Sequence, residues 1–241
     1  MTLKTLVIIP AFNESAAIEE TVREVRGVCV HGFAIDVLVV DDGSGDDTAR
    51  RAQALGVRVV RLPFNVGIGA AVQTGYRYAV AHGYDIAVQV DGDGQHDALY
   101  LKDVIMPVAD GRVDMCIGSR FLTETEGFRS SALRRFGIRF FSFLIRLLTG
   151  LTIKDTTSGF RACGRRLMRV FAFYYPHDYP EPEAIVVARR LGCSVVEVPV
   201  VMRSRATGAS SIAFLKPLYY MLKVSGAILL HTLKHRKVYE S

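Results

Sequence analysis

Five apolar runs, each stopping at a polar cluster that carries glycine or asparagine, constrain this chain more than any other feature. "TLVIIP" (5–10) leads into Asn13 and Glu14, "IDVLVVDD" (35–42) into Gly43 and Ser44, and "VRVVRLP" (57–63) into Asn65 and Gly67. "DIAVQVDGDG" (85–94) carries Asp91, Gly92 and Asp93, and "DMCIGSRF" (114–121) carries Gly118, Ser119 and Arg120. Runs this continuously apolar belong to strands covered on both faces. Between them, "SAAIEETVREVR", "DDTARRAQALG", "IGAAVQTGYRYAVAHG" and "ALYLKDVIMPVADG" have helical spacing, and three of the four close on glycine. Repeated β-α units imply an α/β, doubly wound, mostly parallel sheet. In such a sheet ligands bind beyond the carboxyl ends of the strands, so the polar clusters would share one rim.

Strand-to-helix turns are polar in any case, and capping accounts for residues such as Asp46 and Asp97. It does not account for doubled carboxylates at two strand ends, Asp41-Asp42 and Asp91-x-Asp93, because like charges repel unless a cation or donor lies between them. Two aspartates separated by one glycine suit a hard divalent cation, Mg²⁺ or Mn²⁺, shared with the oxygens of a diphosphate. A dinucleotide-binding oxidoreductase is the rival reading of "VGIGAAV", but Val72 stands where the third glycine of that fingerprint belongs.

With 241 residues, half of them apolar, the chain reads as one domain spanning 1–241. Residues 1–120 form its ligand-binding half, 121–211 its second half, and 212–241 a basic amphipathic segment. The net charge of +6 divides into −5 over residues 1–120 and +11 over 121–241, so the halves face different partners. Cys29, Cys116, Cys163 and Cys193 are scattered and suggest neither a disulfide scaffold nor a zinc site. The reading is therefore cytoplasmic, without a leader or a spanning helix. No RNA-reading pattern accompanies the basic segments, which argues against nucleic acid. No feature sets an oligomeric state.

Taken together, "IIPAFNE", "VVDDGSGDDT", "NVGIGAAVQTG", "VQVDGDGQH", "GSRF" and "DTTSGFR" resemble family 2 glycosyltransferases of GT-A fold. The branch most resembled includes dolichyl-phosphate mannose synthase and bacterial polyprenyl-phosphate sugar transferases. The resemblance covers about the first 165 residues, and "RSRATGASSI" is similar to a further family element. It implies a Rossmann-like fold and an inverting, metal-dependent transfer from a UDP- or GDP-linked sugar. Pro10, Ala11, Asn13 and Glu14, with Asp41, Asp42, Ser44 and Gly67, would bind the donor, although Glu14 is equally a first-turn helix acid. Asp91 and Asp93 would hold the cation, with Gly92 and Gln95 beside them.

The acceptor decides whether a base is needed. A hydroxyl needs a carboxylate to take its proton, whereas a lipid monophosphate is already ionised and needs only positioning by cations. Arg120, Arg161 and Arg205 lie in motifs of the resembled family, and Arg134 and Arg135 stand where related enzymes keep acceptor-phosphate arginines. Arginine suits bidentate phosphate contacts. Asp93, Arg120 and Arg161 are the further catalytic candidates, and Asp155 is either the base for a hydroxyl acceptor or a structural partner of Arg161. "HDYPEPE" (177–183) is a second acidic candidate, with Glu183 as its base. "RRFGIRFFSFLIRLLTG" aligns Arg135, Arg139, Ser142 and Arg146 in one polar stripe on an apolar helix. Such a helix is either buried on three sides or lies at phospholipid headgroups. "SIAFLKPLYYMLKVSGAILLHTLKHRK" repeats the arrangement, with Lys216, Lys223 and Lys234 on one face and Pro217 starting or kinking a helix. The expected location is peripheral, on the anionic inner face of the membrane, with polyprenyl phosphate as acceptor. A saccharide hydroxyl is the second choice of acceptor, and a non-catalytic nucleotide-binding domain the alternative of another class.

Overall fold

The computed structural model describes residues 2–122, 132–177, 179–203 and 223–230, and the side chains of 132–135 fall outside the description. The strands are β1 (Leu3–Ala11), β2 (Phe33–Asp41), β3 (Arg58–Arg61), β4 (Ile86–Gln89), β5 (Met115–Ser119), β6 (Arg161–Gly164) and β7 (Val195–Pro199). They form one seven-stranded sheet in the order β3-β2-β1-β4-β6-β5-β7. All pairings are parallel except those of β6, which runs antiparallel to both β4 and β5. The sheet is mostly parallel, as expected; the inserted antiparallel strand is what the sequence pattern did not disclose.

The helices are α1 (Ile18–Gly27), α2 (Thr48–Ala54), α3 (Ile68–Ala81), α4 (Leu101–Ala109), α5 (Ala132–Thr149), α6 (Arg165–Phe173) and α7 (Pro180–Arg190). Alternation along the strands sends Leu6, Ile8, Leu38 and Val40 to the face covered by α3, α5, α6 and α7. Val7, Ile9, Val37 and Val39 go to the face covered by α1 and α4. Burial on both faces is why these strands read as unbroken apolar runs. Helix α7 hides in sequence behind its prolines, yet Pro180 at the first turn, Glu181 and Glu183 after it, and Arg189 and Arg190 at the end are the favoured placements for a helix.

Register places the strand ends at one level. Ala11 pairs with Asp41 and Asp41 with Arg61, while Gln89 of β4 faces Arg161, the first residue of β6. Glycine lets helices approach closely behind this rim. A Cβ on Gly75 would lie 2.3 Å from the Ile8 side chain, and one on Gly69 would lie 2.3 Å from the carbonyl oxygen of Pro176. The second glycine of "VGIGAAV" therefore makes room for the 176–177 backbone.

Arg120, read from sequence as a catalytic and phosphate-binding candidate, and Arg161, read as a catalytic candidate, are both engaged by groups of the protein itself. Arg120 is bound bidentately by Asp155 at 2.7 and 2.6 Å, and its own N–H donates to Asp155 Oδ2 at 3.1 Å. The Asp155 and Lys154 amides in turn donate to the two carboxylate oxygens of Glu197 on β7, at 2.8 and 2.7 Å. Asp155 thus partners Arg120 and not Arg161, and its carboxylate, fully buried, locks the 154–157 loop to the end of β5. Arg161 is fully buried too, donating to the carbonyls of Ser158 and Glu181. Removing one partner of a buried ion pair leaves the other charge uncompensated. Asp155→Asn is expected to lower stability by about 3–5 kcal/mol in chemical denaturation. A base acting on substrate would instead lose turnover with stability intact.

Candidate active site at the β1–β4 crevice

The winding of the sheet reverses between β1 and β4, since β1, β2 and β3 step one way and β4 begins on the other side of β1. Loops leaving the two strands diverge there, and a cleft of about 310 Å³ opens beyond their carboxyl ends. Pro10, Ala11, Phe12 and Glu14 form one wall, Asn65, Gly67 and Ile68 another, and Asp42, Asp91, Gly92 and Asp93 the floor and lip. Eight of the residues that the resemblance gives to donor and metal (Pro10, Ala11, Glu14, Asp42, Gly67, Asp91, Gly92 and Asp93) line this one volume.

Hydrogen bonds among the loops show what the DDGS segment does. The Asp42 carboxylate accepts the amides of Val66 and Gly67, both at 2.8 Å, and so orients the wall opposite Phe12. Gly43 has φ 70°, and a Cβ there would meet the Phe64–Asn65 backbone at 2.5–2.8 Å. Ser44 Oγ accepts the Asn13 amide, and Asn13 Oδ1 accepts the Gly45 amide, both at 2.9 Å. Asn13 adopts φ 55°, a left-handed conformation that asparagine tolerates. Asp41 is buried beneath the cleft, facing Arg61 Nε at 3.2 Å and the Ser44 amide at 3.3 Å. Burial would raise the Asp46 carboxyl, but hydrogen bonds from Thr48 and Ser15 outweigh it and hold the group down at about 2. The loops after β1, β2 and β3 are thus sewn together by residues that the resemblance assigned to the donor.

Asp91 and Asp93 sit on the opposite side. Gln89 Nε2 donates to Asp91 Oδ1 at 3.1 Å, and the Asp91 amide donates to His96 Nδ1 at 3.0 Å. His96 is buried and stacked on Phe160. A Cβ on Gly159 would stand 2.7 Å from both Asp91 carboxylate oxygens, so the glycine of "DTTSGFR" is there to let Asp91 in. Asp93 Oδ1 accepts the Gln95 amide at 3.1 Å, while the Gln95 side chain turns away, donating to Arg203 O at 3.4 Å. Sequence reasoning missed His96, Phe160 and Gly159 as parts of the site, although "GQH" and "SGFR" carry them.

Glu181 was also missed. Burial raises its carboxyl above the ordinary range, with Arg161 opposing the rise and Asp91 adding to it. Glu183 is buried and lines a separate hollow of about 220 Å³ with Tyr175, Tyr179 and Lys223. Arg134 and Arg135 fall in the first turn of α5, and Arg205 lies outside the described residues. On α5, Ser142 turns inward to donate to the Ile153 carbonyl, so it does not belong to the exposed stripe. That face carries Arg139 and Arg146 among Phe136, Phe143 and Leu147, which are 60–69% exposed. The helical residues 223–230 expose Leu229 and Leu230 as well. Among the described residues no helix is long and apolar enough to cross a membrane.

The donor set fits a hard cation. Two carboxylates line the lip, and among the described residues no third His, Cys, Asp or Glu joins them to close a protein cage. Mg²⁺ and Mn²⁺ bound through one or two carboxylates complete their coordination with phosphate and water oxygens, and the cleft beside Asp91 and Asp93 leaves room for both.

Residues 6–174 match the model of the family described as Glycosyl transferase family 2. The polyprenol monophosphomannose synthase of Mycolicibacterium smegmatis is 32% identical over 222 residues, covering 88% of this chain and 82% of that protein. The undecaprenyl-phosphate mannosyltransferase of Micrococcus luteus is 29% identical over 219 residues, covering 88% of each. Among solved structures, glucosyl-3-phosphoglycerate synthase of Mycobacterium tuberculosis, in complex with Mn²⁺, UDP and glucosyl-3-phosphoglycerate, superposes with a TM-score of 0.72 at 24% identity. That superposition covers 95% of this chain and 80% of that one, and the shared architecture is the GT-A fold. With a family match over most of its length and a crevice assembled from the family's motifs, the chain belongs to glycosyltransferase family 2 and is a sugar-transferring enzyme.

Proposed function

We propose that the chain moves a sugar, with inversion, from a UDP- or GDP-linked donor to polyprenyl phosphate at the inner face of the cytoplasmic membrane. The observation that carries the donor side is the single cleft in which Asp91 and Asp93 face the Pro10–Glu14 and Asn65–Ile68 walls. Phe12 and Ile68 flank the base, and Asp42 holds the 66–67 amides that border the ribose and diphosphate. Asp91 and Asp93 would hold Mg²⁺ or Mn²⁺, which would supply positive charge to stabilise a departing diphosphate.

The acceptor side rests on charge. A phosphate monoester needs no base, only cations to hold it in line with the anomeric carbon. Arg134, Arg135 and Arg205 take that role in this reading; Arg120 does not, because Asp155 occupies its fork. The exposed face of α5 supplies the membrane contact, Phe136, Phe143 and Leu147 entering the headgroup layer while Arg139 and Arg146 meet anionic lipids. One observation favours a hydroxyl acceptor instead: burial raises the Glu181 carboxyl and the charge of Asp91 adds to the rise, which gives it the character of a general base.

Product analysis separates the two. Purified protein with Mn²⁺ or Mg²⁺, a panel of nucleotide-sugars and undecaprenyl phosphate is expected to move label into the organic phase. Label appearing only in a water-soluble glycoside, with activity lost in Glu181→Gln, would establish the hydroxyl reading. The role of Asp91 is tested through its neighbour. Gly159→Ala displaces the flexible Asp91 carboxylate more than any backbone, so thermal stability is expected to stay near that of the parent while kcat/KM falls ~100-fold, about 2.7 kcal/mol. Converting Arg139 and Arg146 together to glutamate is expected to abolish sedimentation with phosphatidylglycerol vesicles while leaving nucleotide binding intact.

A further inference from the structure

The loop that carries Asp91 and Asp93 is fastened at its far end by residues 202–203, where "RSRATGASSI" begins. Residues 95–96 lie antiparallel to 202–203: the Arg203 amide donates to Gln95 O at 2.9 Å, Gln95 Nε2 donates back to Arg203 O, and His96 bridges Met202. Met202 is buried in the same apolar cluster as Phe160, the ring on which His96 stacks. The Arg203 guanidinium closes the arrangement. Nη1 donates to Glu24 Oε1 of α1 at 2.5 Å, and Nη2 lies 3.2 Å from Asp97 Oδ2. Helix α1, the end of the aspartate loop and the segment after β7 all meet on this one side chain.

Its effect is geometric more than energetic. The Arg203 side chain is 42% exposed, and ion pairs so open to solvent are screened and add little to global stability. The contacts of the two carboxyl-bearing residues, however, run to the residues that are fastened. Asp93 Oδ1 accepts the Gln95 amide, and the Asp91 amide donates to His96 Nδ1. Where Gln95 and His96 stand decides where Asp93 and Asp91 point. Gly94, at φ 74°, gives the intervening chain no stiffness of its own.

We propose that Arg203 is a positioning residue for the metal-diphosphate site, holding Asp91 and Asp93 at a productive separation through Gln95 and His96 while touching neither aspartate. The assignment rests on the nucleotide-sugar reading above and concerns binding ahead of any chemistry. Calorimetric titration of the full chain with UDP and with GDP, each with and without Mn²⁺, tests it. In Arg203→Ala the Mn²⁺-dependent affinity is expected to fall ~10-fold, as for other partners one step removed from a metal, while metal-free affinity changes less than ~2-fold. Arg203→Lys, which keeps one of the two pairs, is expected to recover most of the loss. Glu24→Gln removes the α1 tether without touching the loop, serves if Arg203→Ala folds poorly, and is expected to weaken the Mn²⁺-dependent affinity as well. Unchanged Mn²⁺-dependent binding in Arg203→Ala and Glu24→Gln overturns the assignment, as does an equal loss with and without metal. Parent protein that binds neither nucleotide in any condition overturns the donor reading itself, and this assignment with it.

Discussion

The reversal of winding between β1 and β4 is the constraint on which the rest of the structure depends. Because β4 begins on the far side of β1 from β2, no helix caps the gap between the two strand ends, and their loops must part. An open gap at the end of a buried sheet would expose backbone amides and carboxylates to one another without partners. The chain meets this differently on each side. On the β1–β2–β3 side, the side chains of Asn13, Ser44 and Asp42 are spent on neighbouring backbone, which makes a stiff wall. On the β4 side, Gln89, His96 and Gly159 support one carboxylate while Asp91 and Asp93 both remain at the lip. In the proposed reading, a stiff wall facing a carboxylate lip suits a nucleoside diphosphate once a divalent cation bridges the lip and the phosphates.

Arg120 and Arg161 behave in this protein as framing residues. Arg161 has no exposed surface, and its guanidinium donates to two carbonyls, which tie the 158 turn to the start of α7. Arg120 meets a carboxylate, and Glu197 supports that carboxylate's loop through two amides. Buried cations are costly unless every donor direction is answered, and both sites answer most of them within the protein. Arg161 opens β6, the strand beside β4, and Arg120 follows β5, one strand further, so this side of the sheet gains its rigidity from charge, the β1–β2–β3 side from amide contacts.

Much of the fold was legible because β1, β2, β4 and β5 are buried on both faces, and a buried parallel strand announces itself by composition alone. Strand β6 was not, since "RACG" is four residues long, starts with arginine and enters antiparallel. Helix α7 was obscured by Pro180 and Pro182, which read as a loop when their position in the first turn is unknown. Within the site, the doubled aspartates were legible because like charges at adjacent positions demand an explanation. The partner of Arg120 was not: a motif shows that a cation matters, but not whether its anion is a ligand or an aspartate brought from another loop, here Asp155. Gly159 illustrates the same limit. The "SGFR" pattern marks it, while the reason, a carboxylate oxygen 2.7 Å from where a Cβ would sit, exists only after β4 and β6 have paired.

The exposed apolar residues fall into groups with different physical meaning. Phe12 and Ile68 line the mouth of the cleft, and Phe64 and Val66 belong to the same loop as its Asn65–Ile68 wall, each being 40–67% exposed. Small apolar groups around a polar cleft are ordinary for a site that must stack against a planar ring. The α5 set is of another kind: Phe136, Phe143 and Leu147 recur along one helix with arginines between them and no polar cleft nearby in sequence. Water alone would select against three large apolar side chains so exposed on one helix, while the arginines forbid burying that face in an apolar core. In the proposed reading, a medium that is apolar within and anionic at its surface satisfies both demands at once, and a lipid acceptor would bring the enzyme to that medium.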